Sequence, residues 1–353
     1  MPRIVFVLPV RGGSGGAHSV MQEVSALRDL GVDANVLVNQ HNLEAFLDTY
    51  DRYAWVGEAV RPFNGPRELG LAAGNADVVV ATTNTSAHSI AEAIAETRAS
   101  FRTAYYVQDY EPLFYEEGTV DHRIAVASFS VLANCTYFAK TSWLCDIVGA
   151  AHGHEVKRVV PSIDHGLYKP ARREARDKRL LCAMVRPDTP RRAPRKTMAL
   201  LETVASGRYG PAEVKAFGAD EEELRAKGVD LPEGVELIGK LKQTQVAELL
   251  RAADFFVDLS DYQAFGRTAA ESMACGCIAM APKLGGASDF IVDGVNAFLV
   301  DCSDHADIDT ALQRMFSMST AEVNAMRYAG MEAVSGYTPV RAALSELRAL
   351  GLD

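Results

Sequence analysis

Between 254 and 289 the chain reads D-F-F-V-D-L-S-D-Y-Q-A-F-G-R-T-A-A-E-S-M-A-C-G-C-I-A-M-A-P-K-L-G-G-A-S-D, and the residue types there suit the holding of an anion. The apolar run 255–259 has the length and composition of a buried parallel strand. A polar turn follows, then Phe265-Gly266, then a helical stretch in which Thr268 is expected to cap and Glu271 lies three residues on. The unpaired N–H groups and positive dipole end of such a helix attract phosphate, and Gly266 lets backbone approach the ligand closely. Glu271, one turn in, is suited instead to a partner with hydroxyls, such as a ribose. A second flexible loop, Gly285-Gly286, follows the next expected strand, 278–281.

A second constellation is cationic. Residues 171–196 hold ten basic side chains against three acidic ones, a reversal of sign in a chain of formal charge −10. Solvated arginines explain most such runs. However, 180–185 reads as a buried strand, Arg186 comes directly after it, and Arg191 and Arg192 lie in the loop leading to a helix. A third group, Q-D-Y-E-P-L-F-Y at 108–115, follows the expected strand 103–107. Strand ends of open α/β sheets are where ligands bind, so Asp109 and Glu111 are candidates for contacting hydroxyls or accepting a proton. Equally, either one can cap a turn or pair with an arginine.

The elements that must position these groups are those of a doubly wound α/β protein. A strand at 4–8, the glycine-rich loop P-V-R-G-G-S-G-G and a helix with apolar residues at Val20, Val24, Leu27 and Leu30 form the first unit, with the next strand at 34–38. Further strands are expected at 77–81, 130–134, 214–218 and 235–239, and helices at 87–97, 136–150, 245–253, 305–317, 321–335 and 337–350. The first loop superficially suggests a dinucleotide site, but G-G-S-G-G is not G-x-G-x-x-G, and Asn39 stands where an acidic residue would follow the second strand. That counts against a nicotinamide oxidoreductase. His88 reads as a local hydrogen-bonding residue.

Bulk properties narrow the function classes. At 353 residues the chain is comfortable for two domains. Net negative charge argues against a general nucleic-acid or anionic-membrane binder. The six cysteines show no C-x-x-C pair, which suggests reduced, mostly buried thiols in a cytoplasmic protein. No metal site and no cofactor is expected. The apolar run 4–10 is too short for a signal peptide, and no run approaches the roughly 20 residues of a membrane span.

The order of residues from Gln263 to Val300 resembles the C-terminal signature of the retaining GT-B glycosyltransferases of family 4: a glutamate, a Gly-Phe-Gly turn, a second glutamate, and a Met-Ala-x-Gly helix end. G-G-A-S-D-F-I-V-D-G-V-N-A-F-L-V is similar to that family's glycine pair and D-G-x-N-G turn. One departure is Gln263, where the family has the first glutamate, which touches the donor sugar; an amide donates and accepts but carries no charge. The segment 108–115 looks like a branch containing bacterial rhamnosyltransferases. The D-x-E spacing of Asp109 and Glu111 is similar to the metal motif of the other glycosyltransferase fold, a different architecture.

What the resemblance implies is a GT-B protein with two Rossmann-like doubly wound domains facing across a cleft. An N-terminal acceptor domain would span 1–170 plus a returning helix in 337–353, and a nucleotide-sugar donor domain 171–336, with hinges near 161–171 and 336. Arg186 and Arg191 match the family's diphosphate-directed basic pair, with Arg192 a substitute if the loop shifts register. Ile238 and Gly239 would read the base through backbone groups. Gly15 and Gly16 would border the cleft near the phosphates, and Gln263, Ala264, Phe265, Gly266, Thr268 and Glu271 would complete the donor site. The implied activity is metal-independent transfer of a sugar, best matched by dTDP-L-rhamnose or another deoxysugar, to a hydroxyl of a glycan, lipid or small molecule, with possible peripheral contact at the inner membrane face. A nucleotide-sugar epimerase of the same fold and a catalytically silent nucleotide-sugar-binding protein are the alternatives.

Overall fold

The computed structural model describes residues 1–173 and 176–353. Glu174 and Ala175, within the basic run 171–196, lie outside the described residues. The chain divides into two compact units, 1–163 with 337–353, and 164–336. The changeover after Ile163 precedes the 170/171 break read from the sequence.

The first unit carries strands β1 (Arg3–Val7), β2 (Asp33–Asn39), β3 (Val60–Phe63), β4 (Val78–Ala81), β5 (Arg102–Val107), β6 (Thr136–Ala139) and β7 (Val156–Arg158). They form an all-parallel sheet in the order β3-β2-β1-β4-β5-β6-β7. Parallel strands need crossover helices on both faces, which is why β4 is buried at every residue. Pro62 cannot donate to a ladder, and β3 accordingly sits at the sheet edge. The helix Pro339–Leu350 belongs to this unit: Ala343, Leu347, Ala349 and Leu350 pack into the same core as Phe6, Val24 and Tyr106.

Two expectations fail here. Residues 130–134 do not form a strand; Asn134 takes a left-handed φ of 51°, and the strand begins two residues later at Thr136. The helix expected at 136–150 consequently starts later, at Ser142, where the Thr141 hydroxyl accepts from the Leu144 N–H, and runs to His152.

The second unit carries β8 (Arg179–Met184), β9 (Ala212–Phe217), β10 (Val235–Leu237), β11 (Phe255–Val257), β12 (Ile278–Pro282) and β13 (Phe298–Val300), parallel in the order β10-β9-β8-β11-β12-β13. Its core joins Leu181, Phe255, Met280 and Phe298 from the sheet to Leu201, Leu312 and Met315 from flanking helices. In each unit the strand order reverses beside the first strand, at β1/β4 and at β8/β11. The carboxyl edge at such a reversal is the natural ligand crevice of an open α/β sheet. Among the described residues, no helix is long and apolar enough to cross a membrane.

Candidate active site

At the β8/β11 reversal of the second unit, Arg186 stands two residues beyond Met184. Its side chain is exposed, and although partial desolvation lowers its pKa, with Glu223 opposing, a guanidinium in contact with water stays cationic. Arg191 and Arg192 lie in the short turn Pro190–Arg192, which is tied to the loop after β11. Arg192 Nη1 is 3.7 Å from Asp258 Oδ2, the Arg191 guanidinium lies 5.1 Å from the centre of the Tyr262 ring, and the Asp261 N–H donates to Arg191 O at 2.8 Å. The chain thereby brings the cationic turn after β8 against the polar loop after β11.

That loop is internally fixed. Asp258 accepts from the Ser260 N–H at 2.9 Å, and Gln263 Nε2 donates to Asp258 Oδ2 at 2.5 Å and to Ser260 Oγ at 3.1 Å. Gln263, Ala264 and Phe265 are buried, and Phe265 packs on Phe290 with ring centres 5.5 Å apart. Gln263 also pairs through its backbone with the loop after β12, donating to Leu284 O and accepting from the Gly286 N–H at 2.8 Å. A side chain at Gly285, where φ is 115°, would bring its Cβ to 2.0 Å from Gln263 O. The glycine pair is therefore what lets the loops after β11 and β12 meet.

The helix start differs from the sequence expectation. Helix Arg267–Ala274 takes Gly266, at φ 85°, as its cap residue, with no side-chain cap bond, and Thr268 sits inside the first turn. Left-handed backbone favours glycine there over a capping threonine, and the helix presents its amino end without a capping oxygen from its own cap residue. Glu271 is also more engaged than its spacing suggested. It accepts from Arg267 Nη1 at 3.1 Å, one helical turn back, and the two side chains are only 5% and 10% exposed. Burial raises the Glu271 carboxyl pKa, while Arg267 and the Tyr168 hydroxyl hold it down. Arg267, Tyr168 and Asp258 join the site although the sequence reading does not include them; the i,i+4 spacing of Arg267 and Glu271 is the one signal along the chain.

Ile238 and Gly239 follow β10 directly. The Ile238 N–H donates to Ala216 O and Gly239 O accepts from the Gly218 N–H, at 2.9 and 2.8 Å. Gly239, at φ 75°, has open space where a Cβ would project. Arg186, Gly239, the 258–266 loop and Gly285 thus all lie beyond the carboxyl ends of parallel strands of one sheet, with β9 between β10 and β8.

In the first unit the corresponding reversal holds the glycine loop. Gly15 and Gly16 begin helix Gly15–Asp29, with the Ser14 hydroxyl accepting from the Ala17 N–H. A Cβ on Gly16 would lie 2.9 Å from Gln108 Oε1, so the loops after β1 and β5 approach each other. Asp109 accepts from the Tyr110 N–H at 2.9 Å, and Glu111 accepts from the Asn84 N–H, at the start of helix Asn84–Thr97. Both carboxylates therefore have local backbone work, and for Glu111 it includes an N-terminal charge next to a helix dipole. His88 hydrogen-bonds to Ile124 O at 2.9 Å.

Residues 201–332, all in the second unit, match the family model described as Glycosyl transferases group 1. The D-inositol 3-phosphate glycosyltransferase of Thermomonospora curvata is 41% identical over 73 residues, which is 21% of this chain and 17% of that protein. The O-antigen biosynthesis protein RfbC of Myxococcus xanthus is 30% identical over 227 residues, 62% of this chain and 16% of that one. The matched stretch therefore spans about a fifth or less of the length of these curated relatives. The crystal structure of Anabaena Alr3699/HepE in complex with UDP and glucose aligns at a TM-score of 0.77 and 16% identity, over 99% of this chain and 100% of that one. At that identity the likeness shows the fold, which is GT-B: two α/β units of Rossmann type, each built on a parallel sheet.

Proposed function

We propose that this chain is a metal-independent, retaining glycosyltransferase that takes its sugar from a nucleotide-diphosphate donor. The observation that carries the reading is the meeting, at the β8/β11 reversal, of the Arg191–Arg192 turn, which follows the exposed Arg186, with the loop that leads into helix Arg267–Ala274. Cations and a helix amino end at one sheet edge suit a diphosphate. The family match over 201–332 and a fold shared with a protein crystallised with UDP and glucose support the same donor class.

In this reading Arg186 and Arg191 receive the negative charge that grows on the diphosphate as the glycosidic bond breaks, while the sugar becomes oxocarbenium-like. Groups already fixed in place favour the departing diphosphate over the intact donor, and that difference lowers the barrier. Gly239 and Ile238 offer backbone groups to the base. Glu271, whose carboxylate has acceptor capacity beyond Arg267 and Tyr168, takes the ribose. Gln263 and its neighbours through Thr268 line the sugar and phosphate, Gly15 and Gly16 supply backbone for phosphate, and Asp109 and Glu111 contact the acceptor. Retention without a protein nucleophile has a diphosphate oxygen take the acceptor proton.

The finer assignment is a dTDP-activated deoxysugar such as L-rhamnose, resting on the uncharged Gln263 and on Q-D-Y-E-P-L-F-Y at 108–115. The acceptor is a hydroxyl of a glycan, lipid or small molecule. A thermal-shift panel of nucleotide sugars tests this, because a ligand at 100 times its Kd stabilises the folded state by about 2.7 kcal/mol. The expected result is a rise in Tm with dTDP-L-rhamnose that exceeds the rise with UDP-glucose. No shift with any nucleotide sugar or free nucleoside diphosphate would remove the donor site, and consumption of donor with no acceptor present would make the protein an epimerase.

A further inference from the structure

The first unit encloses a group of ionisable side chains that the donor and acceptor contacts leave unused. Glu23, on helix Gly15–Asp29, and Glu346, on helix Pro339–Leu350, are both at 0% exposure, and Lys140, just past β6, is at 5%. Glu23 Oε1 is well supplied: the Tyr106 hydroxyl from β5 donates at 3.1 Å, Ser162 from the segment after β7 donates at 2.7 Å, and the Lys140 ammonium is 3.5 Å away. Glu23 Oε2 and both oxygens of Glu346 receive no donor from the described residues. The two helices pack against each other, and the Glu23 carboxylate acts directly on that of Glu346.

Two carboxylates and one ammonium would leave an uncompensated negative charge in a place closed to water, which is strongly unfavourable. One proton removes that charge and supplies the donor that the facing oxygens lack. From Lys140 the contacts continue outward: its Nζ donates to Ser19 Oγ, and Ser19 Oγ donates to Gly15 O at 3.1 Å. A line of polar contacts therefore runs from Glu23 through Lys140 and Ser19 to Gly15 O, at the start of helix Gly15–Asp29.

We propose that Glu346 and Glu23 share one proton in the folded protein, and that the resulting neutral Glu346–Glu23–Lys140 cluster is a positioning device for the glycine-rich start of helix Gly15–Asp29. The groups facing Glu346 set its titration. Burial is the main cause that pushes its carboxyl well above the usual range, the Glu23 charge and hydrogen bond add to it, and Lys140 opposes. The fold therefore favours the protonated acid. That stability is complete below the unfolded carboxyl pKa of about 4.3 and is lost as pH rises through the folded value.

The test is thermal unfolding of the full chain from about pH 5 to 9 for the native protein and Glu346→Gln, whose amide donates to Glu23 without titrating. Over the window in which the folded acid keeps its proton, native stability should fall relative to the variant by up to about tenfold in the unfolding constant per pH unit. Parallel curves would overturn the shared proton. Hydrogen exchange at the amides of 15–19 tests the positioning role: rates should match the native ones in Glu346→Gln and rise in Glu346→Leu, and unchanged rates in the leucine variant would overturn that role. Should the leucine variant not fold, infrared difference spectra between native protein and Glu346→Gln decide the matter. A protonated carboxyl band lost on substitution is expected, and its absence from the native protein refutes the proposal.

Discussion

The Gln263 amide donates to Asp258 Oδ2 at 2.5 Å, so the position where the family resemblance expects a glutamate holds a group fitted to a neighbouring carboxylate. A second carboxylate in its place would face Asp258 with like charge, and Arg192 at 3.7 Å would have to serve both. The uncharged residue is thus a consequence of Asp258 as much as of the sugar. Gln263→Glu should destabilise the protein by about 1–3 kcal/mol at neutral pH, the range for a buried polar group left without its partner. One carboxyl of the new pair would have a raised pKa, so the deficit should shrink as pH falls through it. Thermal unfolding at acidic and neutral pH checks this, and equal midpoints for variant and native protein at both would discount the Asp258 bond.

Arg186 is exposed and makes no contribution to the core, so Arg186→Ala should leave Tm nearly unchanged while lowering kcat/KM by about 3 kcal/mol or more, the worth of a donor aimed at developing charge. Steady-state kinetics with a donor found by the thermal-shift panel supplies the number. A near-native kcat/KM would take Arg186 out of the site.

For Glu271 the outcome depends on which substitution is made. Glu271→Ala strands Arg267 in a nearly buried setting and should cost about 3–5 kcal/mol in folding before any ligand is added. Glu271→Gln retains a hydrogen-bond acceptor for Arg267 and is the gentler probe. Calorimetry with the free nucleoside diphosphate should show weaker binding to the glutamine variant at a folded fraction confirmed by circular dichroism. Unchanged affinity would assign Glu271 to holding Arg267 and Tyr168 alone.

Much of this geometry was legible from residue order, because a parallel sheet turns apolar runs into strands whose carboxyl ends come to one edge. Leu180 to Val185 and Phe255 to Leu259 announced β8 and β11 in this way, and with them the neighbourhood of Arg186 and Gly266. Residues 130–134 misled because Val131 and Leu132 look strand-like, whereas Asn134 needs left-handed backbone and the aromatic pair Tyr137-Phe138 forms the strand instead. The cap at Gly266 was hidden because Thr268 offers good capping chemistry at the wrong backbone position. Partners such as Tyr168 for Glu271, or Glu346 for Glu23, join residues distant in sequence, and spacing along the chain carries no record of them.

Gly285→Ala isolates the loop junction from the chemistry. The added methyl would meet Gln263 O at 2.0 Å, against backbone that pairs with Gly286, so neither side can yield without breaking the Gln263–Gly286 bond. Together with the left-handed φ, this places the variant among the large destabilisations, at about 3 kcal/mol or more. Denaturant unfolding measures it; a loss below about 1 kcal/mol would mean that the two loops separate cheaply.

Glu111 has two candidate roles that its variants separate. Its carboxylate accepts the Asn84 N–H at the start of helix Asn84–Thr97, so removing the charge while keeping an acceptor, as in Glu111→Gln, should cost only about 0.3–1 kcal/mol of stability. Glu111→Ala loses the acceptor as well and should cost about 0.5–2 kcal/mol, the range for a lost cap. If helix support is the whole role, kcat should stay near native in both variants under conditions where they are folded. If the carboxylate also meets the acceptor hydroxyl, the glutamine variant should lose kcat or gain acceptor KM by far more than its small stability change, with donor affinity unmoved. Parallel measurement of urea midpoints and acceptor kinetics for the two variants therefore decides between a capping carboxylate and one that serves the reaction.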